Sequence, residues 1–343
     1  MNIKEIAKLA NVSIATVSRV INNDSKVKVT TKEKVEQIMK QFNYTPNSYA
    51  TRLSKGVIDQ TIGLIVPDVS NILFSEMIEV ISSRAEKENI TVLLCNTNGK
   101  YEKEKKFIEL FIDYRVKGII YIPGKYKVNY DYNFLNEIES RDIPTVFLDR
   151  EIEGFNFDGV FLDNYTISYN ITNEILKNDY KNIYFISGPL DISSGQDRFL
   201  GFKDAINECK ICTENYEVKY GDFTFNSGYE LGEEILKNHK SDELVIYIAN
   251  NTMALGFLKI LKKYSKKFNK IVIGVFGISE VLDMMLDDEN YITCKVPNKE
   301  IAEKSFDILL DKINSLNKNN NQQRKKILYS SVIINKLNHK NSL

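Results

Sequence analysis

The chain has 343 residues, of which 43% are hydrophobic, with 46 Lys and Arg balanced by 46 Asp and Glu, four Cys and two His. A formal charge of zero excludes a uniformly basic coat for nucleic acid, and four cysteines in this length exclude a disulfide-stapled miniature. The lack of any long apolar run predicts neither a signal peptide nor a membrane span.

The zero is a cancellation, because residues 1–58 hold ten Lys and Arg against four Asp and Glu and the remainder carries the matching acidic excess. Within the basic part, Ile3, Ile6, Ala7 and Ala10 recur at helical spacing and predict a first helix. Val17, Val20 and Ile21 predict a second, and Val35, Ile38, Met39 and Phe42 a third, so three short helices share a small core. Between the first two, Asn11 tolerates the left-handed conformation of a tight turn and Ser13 can cap the next helix. This is the pattern of a helix-turn-helix whose recognition helix runs from about Ile14 to Asn22. Thr30 or Thr31, with Glu33 behind, reads as the start of the third helix. The outer face of the second helix is Ala15, Ser18, Arg19 and Asn22, short apart from one Arg, so another surface can approach it closely.

The stretch IKEIAKLANVSIATVSRVINN, with TTKEKVEQIMKQFNYTPN after it, resembles the DNA-binding headpiece of the lactose-repressor family of bacterial transcription regulators. TIGLIVPDVSN, GPLDISSGQDRFLGF, GDFTFNSGYE and ANNTMALG extend the resemblance over nearly the whole chain. It implies a headpiece over residues 1–45, in which Ser13, Thr16 and Asn22 hold phosphates while Ile14, Ala15, Ser18 and Arg19 face base edges, Arg19 reaching a guanine. Tyr44 and Asn47 are further candidates for DNA contact. Pro46-Asn47 opens a run that Ser54-Lys55-Gly56 breaks. Residues 46–60 then form a hinge helix and linker, with Ala50 and Leu53 at the positions that enter the minor groove. Thr51 stands where the family commonly has Arg, and Arg52 follows it.

From Thr61 onward, short apolar runs alternate with amphipathic helices: TIGLIVPD, ITVLLCNT, GIIYIPG, PTVFLD, GVFLDN, NIYFISG, LVIYIAN and IVIGVFG. This is the pattern of parallel sheets covered on both faces. The resemblance makes it a two-lobed α/β core of the periplasmic-binding-protein-like (type I) class. The first lobe is expected over 61–161 and 290–317, and the second over 162–289 and 318–343. The polar run NKNNNQQRKK reads as a surface connection, and no repeat is visible beyond the βα alternation.

Open α/β sheets bind ligands beyond the carboxyl ends of their strands. Ser70, Leu73 and Phe74 follow the first strand, Asp149 the fourth, Arg198 the run ISGPL, Phe223 the pair Gly221-Asp222, and Asn250 closes YIAN. With Phe161 and Phe276 they form the candidate effector site, and the resemblance puts sugar or purine contacts in such sites. The mixture of rings, carboxylate, guanidinium and amide suits a sugar-like or other small polar metabolite. The family commonly has Asp where this chain has Asn251, and GFD where it has Gly274-Val275-Phe276-Gly277, so a second carboxylate is absent and an ordinary hexose does not follow.

No catalytic residue, cofactor or metal is expected. Neither His239 nor His339 lies near a nucleophile motif, no phosphate-binding glycine loop follows a strand, and Cys209-Lys-Ile-Cys212 is a lone pair where zinc needs two more ligands. The scattered cysteines predict reduced thiols and a cytoplasmic setting. The sequence therefore reads as a homodimeric repressor binding a palindromic operator under control of a small effector. The alternative is a cytoplasmic binding protein or enzyme that retains an inactive headpiece.

Overall fold

The computed structural model describes residues 2–21, 24–42, 44, 60–124, 131–177, 180, 182–209, 215–286, 290–315 and 324–337. The chain divides into two units, Met1–Gln60 and Thr61–Leu343.

In the first unit, α1 (Ile3–Ala10), α2 (Ile14–Ile21) and α3 (Val29–Gln41) enclose Ile6, Ala7, Ala10, Val17, Val20 and Val35. Asn2 and Glu5 cap α1 reciprocally: Asn2 Oδ1 accepts from the Lys4 and Glu5 amides, and the Glu5 carboxylate accepts from the Asn2 amide. Asn11 is left-handed, with φ of 54°, and Ser13 Oγ accepts from the Thr16 amide at 3.0 Å, so both turn residues act as expected. Two expectations fail. Helix α3 starts at Val29 with Lys28 in the cap position and no side-chain cap, because the turn held by Asp24 delivers the backbone earlier than Thr30 or Thr31. Phe42 is 45% exposed, since it lies past the last turn of α3, where helical spacing no longer aims it inward.

The strands of the second unit are β1 (Thr61–Val66), β2 (Thr91–Asn96), β3 (Gly118–Tyr121), β4 (Thr145–Leu148), β5 (Asp158–Leu162), β6 (Asn182–Ser187), β7 (Asn215–Tyr220), β8 (Glu243–Ile248), β9 (Lys270–Val275), β10 (Asn290–Lys295), β11 (Lys326–Tyr329) and β12 (Val332–Lys336). The helices between them are α4 (Ile72–Lys87), α5 (Tyr101–Asp113), α6 (Asn133–Ser140), α7 (Asn164–Leu176), α8 (Ser193–Glu208), α9 (Phe225–Asn238), α10 (Asn251–Tyr264), α11 (Glu280–Leu286) and α12 (Asn298–Ser315).

The strands form two six-stranded sheets, ordered β11-β5-β4-β3-β1-β2 and β12-β10-β9-β8-β6-β7. Every pairing is parallel except β12 against β10. Each lobe thus repeats one strand order, a relation that the βα alternation alone does not reveal. The inner strands β1, β3, β4, β8 and β9 are buried along nearly their whole length because helices cover both faces, whereas β2, β11 and β12 at the sheet edges are partly exposed. In the second lobe Phe185 stacks on Phe202 at 4.4 Å and on Tyr247 at 4.8 Å between centroids.

The chain changes lobe near Leu162, as expected, but the later crossings differ. β10 runs parallel to β9 and stays in the second lobe, so the next crossing is at Val296–Pro297 rather than near Asn290. β11 pairs with β5 in the first lobe, so the last crossing lies at Ser330–Ser331 rather than near Asn317. Strand pairing decides both, and a local apolar run does not record its partner.

Candidate functional site

The helix-turn-helix presents its second helix as a two-faced element. Val17 and Val20 are buried, whereas Ile14, Ala15 and Arg19 are exposed and Ser18 is half-buried. The Arg19 side chain is 63% exposed and meets Asp24 only at 4.0 Å, so its guanidinium is free to reach outward. Ser13 and Thr16 share a hydrogen bond between hydroxyls at 2.9 Å at the start of the helix. Tyr44 is half-buried against the headpiece core. Asn22, Asn47, Ala50 and Leu53 lie outside the described residues.

In the second unit a cleft lies between the lobes, and Leu73, Phe74, Asp149, Arg198, Phe223, Asn250 and Phe276 all line it. They arrive from the carboxyl ends of strands in both sheets. Asp149 closes β4 in a left-handed conformation with φ of 65°, and its amide donates to the Val160 carbonyl. Arg198, on α8, is buried; its Nε donates to Asn164 Oδ1 at 2.9 Å and its Nη1 to the Ala249 carbonyl at 2.7 Å. The Phe276 ring lies 3.6 Å from the guanidinium carbon and the Phe223 ring 5.6 Å away. Burial pushes the Arg198 pKa down, and the Asp149 charge opposes that shift.

Phe223 is also left-handed, with φ of 70°. Asn250 holds it there: Nδ2 donates to the Phe223 carbonyl at 3.1 Å while Oδ1 accepts from the Met253 amide at the start of α10. Asn250 therefore spends both polar ends on the scaffold. Gly188 has no side chain for a clear reason, since a Cβ there would stand 2.2 Å from the Phe223 ring.

Two candidates lie elsewhere. Ser70 is exposed and its hydroxyl donates to Asp68 in a local turn at 2.7 Å, so Asn71, which caps α4, lines the cleft in its place. Phe161 packs in the first-lobe core, because neighbours on a strand point to opposite faces and Leu162 takes the cleft side. Asn251, which stands where the family commonly has Asp, lines the cleft as well, while Arg150, Ser194 and Asn298 were not among the candidates. Arg150 directly follows Asp149 and was within reach of the same strand-end argument. Asn298 follows the misplaced crossing and was not.

His239 has one ring nitrogen 3.0 Å from Tyr184 Oη and the other 2.9 Å from the Glu243 carbonyl oxygen. Cys95 and Cys294 are free and buried, but Cys209 is disulfide-bonded, contrary to the expectation of reduced thiols throughout. Among the described residues no cluster of His, Cys, Asp and Glu could hold a metal ion, and no helix is long and apolar enough to cross a membrane.

Residues 2–47 match the family model described as bacterial regulatory proteins, lacI family, and residues 59–336 that of periplasmic binding proteins and the sugar binding domain of the LacI family. The chain is 30% identical to the HTH-type transcriptional repressor PurR of Vibrio atlanticus (strain LGP32) over 313 residues, 91% of each chain. It is 29% identical to catabolite control protein A of Priestia megaterium over 260 residues, covering 75% of this chain and 76% of that one. A lac repressor dimer, solved bound to operator and the anti-inducer ONPF, superposes with a TM-score of 0.69 at 21% identity over 98% of both chains. The helix-turn-helix, the paired sheets and the cleft are thus those of a known group, and the chain belongs to the lacI family of bacterial regulatory proteins.

Proposed function

We propose that the protein is a cytoplasmic, non-enzymatic repressor that binds a palindromic operator as a homodimer and is controlled allosterically by a small metabolite in the interlobe cleft. The observation that carries the DNA-binding half is the face of α2. Its apolar residues Val17 and Val20 are buried while Ile14, Ala15 and Arg19 stand exposed with no core role. Short side chains around one Arg fit a helix laid in a major groove, with Ser13 and Thr16 placed for phosphates and Ser18 beside Arg19 for base edges. One headpiece reads a half-site, and two-fold symmetry supplies the second about one helical turn away. The lac repressor dimer solved on its operator supports this reading. Asn22, Asn47, Ala50 and Leu53 belong to the same proposed interface through the resemblance.

Leu73, Phe74, Asp149, Arg198, Phe223 and Phe276 are proposed effector contacts, with Asn250 as the support that orients Phe223. A ligand that binds the closed arrangement of the lobes more tightly than the open one shifts the population competent for DNA. The test is selection of the full chain on randomised duplexes together with its mass in solution. A palindromic consensus bound by a dimer is expected. A monomer, or recovery of no preferred sequence, overturns the reading.

A further inference from the structure

Two guanidinium groups from opposite lobes line the same cleft, Arg150 after β4 and Arg198 on α8. Both are buried, and the charge of Arg150 adds to the burial that pushes the Arg198 pKa down. Such a pair of like charges in a low-dielectric cleft is costly unless something negative lies between them.

The lining supplies one such group for two cations. Asp149 alone among the described lining residues of the cleft carries a carboxylate, and it forms a buried ion pair with Arg150 Nε at 3.3 Å, which leaves one of the two guanidinium charges of the lining without a matching carboxylate. Arg150 Nη1 donates to the Pro123 carbonyl, while the buried Nε has the Asp149 ion pair and no well-formed hydrogen bond among the described residues. Glu104 lies outside the lining; burial pushes its carboxyl pKa up, it accepts from Tyr121 Oη and the Gly124 amide, and its charge supports Arg150 from behind the cleft. Asp197, beside Arg198 in sequence, is likewise raised by burial. Asp68 and Asp222 line an adjoining recess that Arg150 also borders, where they stand exposed and accept from their own turns. Where the family commonly places a carboxylate, Phe276 offers Arg198 a ring face, which attracts the cation without cancelling its charge. Asn298 adds a buried, unpartnered acceptor, Oδ1, to the same cleft, so a ligand hydroxyl has somewhere to donate.

We propose that the ligand of the cleft is an anion, a phosphate or carboxylate carried on a small hydroxylated skeleton, whose charged group sits between Arg150 and Arg198 and so ties the two lobes together. This rests on the cleft being the effector site and names the class of effector. Arg150 Nε supplies one hydrogen bond to the anion, Arg198 supplies charge from the other lobe, and Asn298 accepts from a hydroxyl.

The experiment is calorimetric titration of the full chain, at fixed ionic strength, with glucose, glucose 6-phosphate, gluconate and inorganic phosphate. Glucose 6-phosphate or gluconate is expected to bind at least about tenfold more tightly than glucose, the scale of a charge-assisted hydrogen bond, and whichever wins distinguishes phosphate from carboxylate. Arg150→Gln is expected to remove the preference and Arg150→Lys to keep part of it, with unliganded melting curves as the folding control. Equal or tighter binding of glucose, a preference untouched by Arg150→Gln, or no binding by any of the three anions overturns the proposal. Glucose binding that Phe223→Ala abolishes but Arg150→Gln leaves intact keeps the cleft as the effector site while removing the anion.

Discussion

Arg19 and Glu104 show how burial decides what a single charge does. Arg19 is exposed on α2 with one distant carboxylate, so its charge contributes little to folding. Arg19→Ala is expected to cost about 1–3 kcal/mol of binding on the selected operator and much less on random duplex, as read by competition gel shift. Glu104 is the reverse case, since burial raises its pKa against the pull of Tyr121 and Gly124. An acid raised in the folded state binds its proton more tightly there. That stability is fully present below the unfolded value, about 4.3, and is lost as pH rises through the folded value. Glu104→Gln should therefore flatten the dependence: melting temperatures of variant and parent converge in acid, and the variant gains on the parent as pH increases. Residue-scale roles are only partly legible in sequence. A strand end marks Asp149 and Phe223, whose backbone is left-handed there, but nothing local tells Phe161 from Leu162 until the sheet fixes which face looks outward.

Elements are legible where their signals are local. The turn at Asn11 and the cap at Ser13 are written into adjacent residues, and both form. Ser13→Ala should cost the headpiece about 1 kcal/mol, seen as an earlier melting transition of the first unit by residue-resolved hydrogen exchange, with the core transition unchanged. The third helix lacks a side-chain cap, and there the sequence signal for the cap misleads by two or three residues. At the cleft, Gly188→Ala would drive a Cβ into the Phe223 ring. The expected outcome is weakened ligand binding with an intact fold, checked by titration beside circular dichroism. Pairing of β10 and β11 is the illegible part. Neither β10 (NYITCK) nor β11 (KILY) stands out as an apolar run, and the partner of β11 lies more than a hundred residues earlier, which no local window contains.

At the level of the whole molecule, the net charge of zero conceals a basic first unit and an acidic remainder. Salt should therefore act on DNA binding strongly despite overall neutrality. A dimer touching about 6–10 phosphates is expected to lose on the order of 10³–10⁵ in affinity between 50 and 200 mM salt, and a flat response in a filter-binding series would contradict the interface. The two lobes are joined by three passages of backbone, and the cleft between them is lined from both sides. Any opening must bend all three together, which favours a hinge over independent drift of the lobes.

The final two strands carry a liability of their own. β11 completes the first sheet beside β5, and β12 completes the second beside β10. A stop codon placed just before Lys326 would strip an outermost strand from each sheet in one event, leaving two rows of unsatisfied peptide groups ready to recruit other chains. Such a shortened product should accumulate as insoluble material, even though it would keep the entire headpiece and nearly all of the cleft lining.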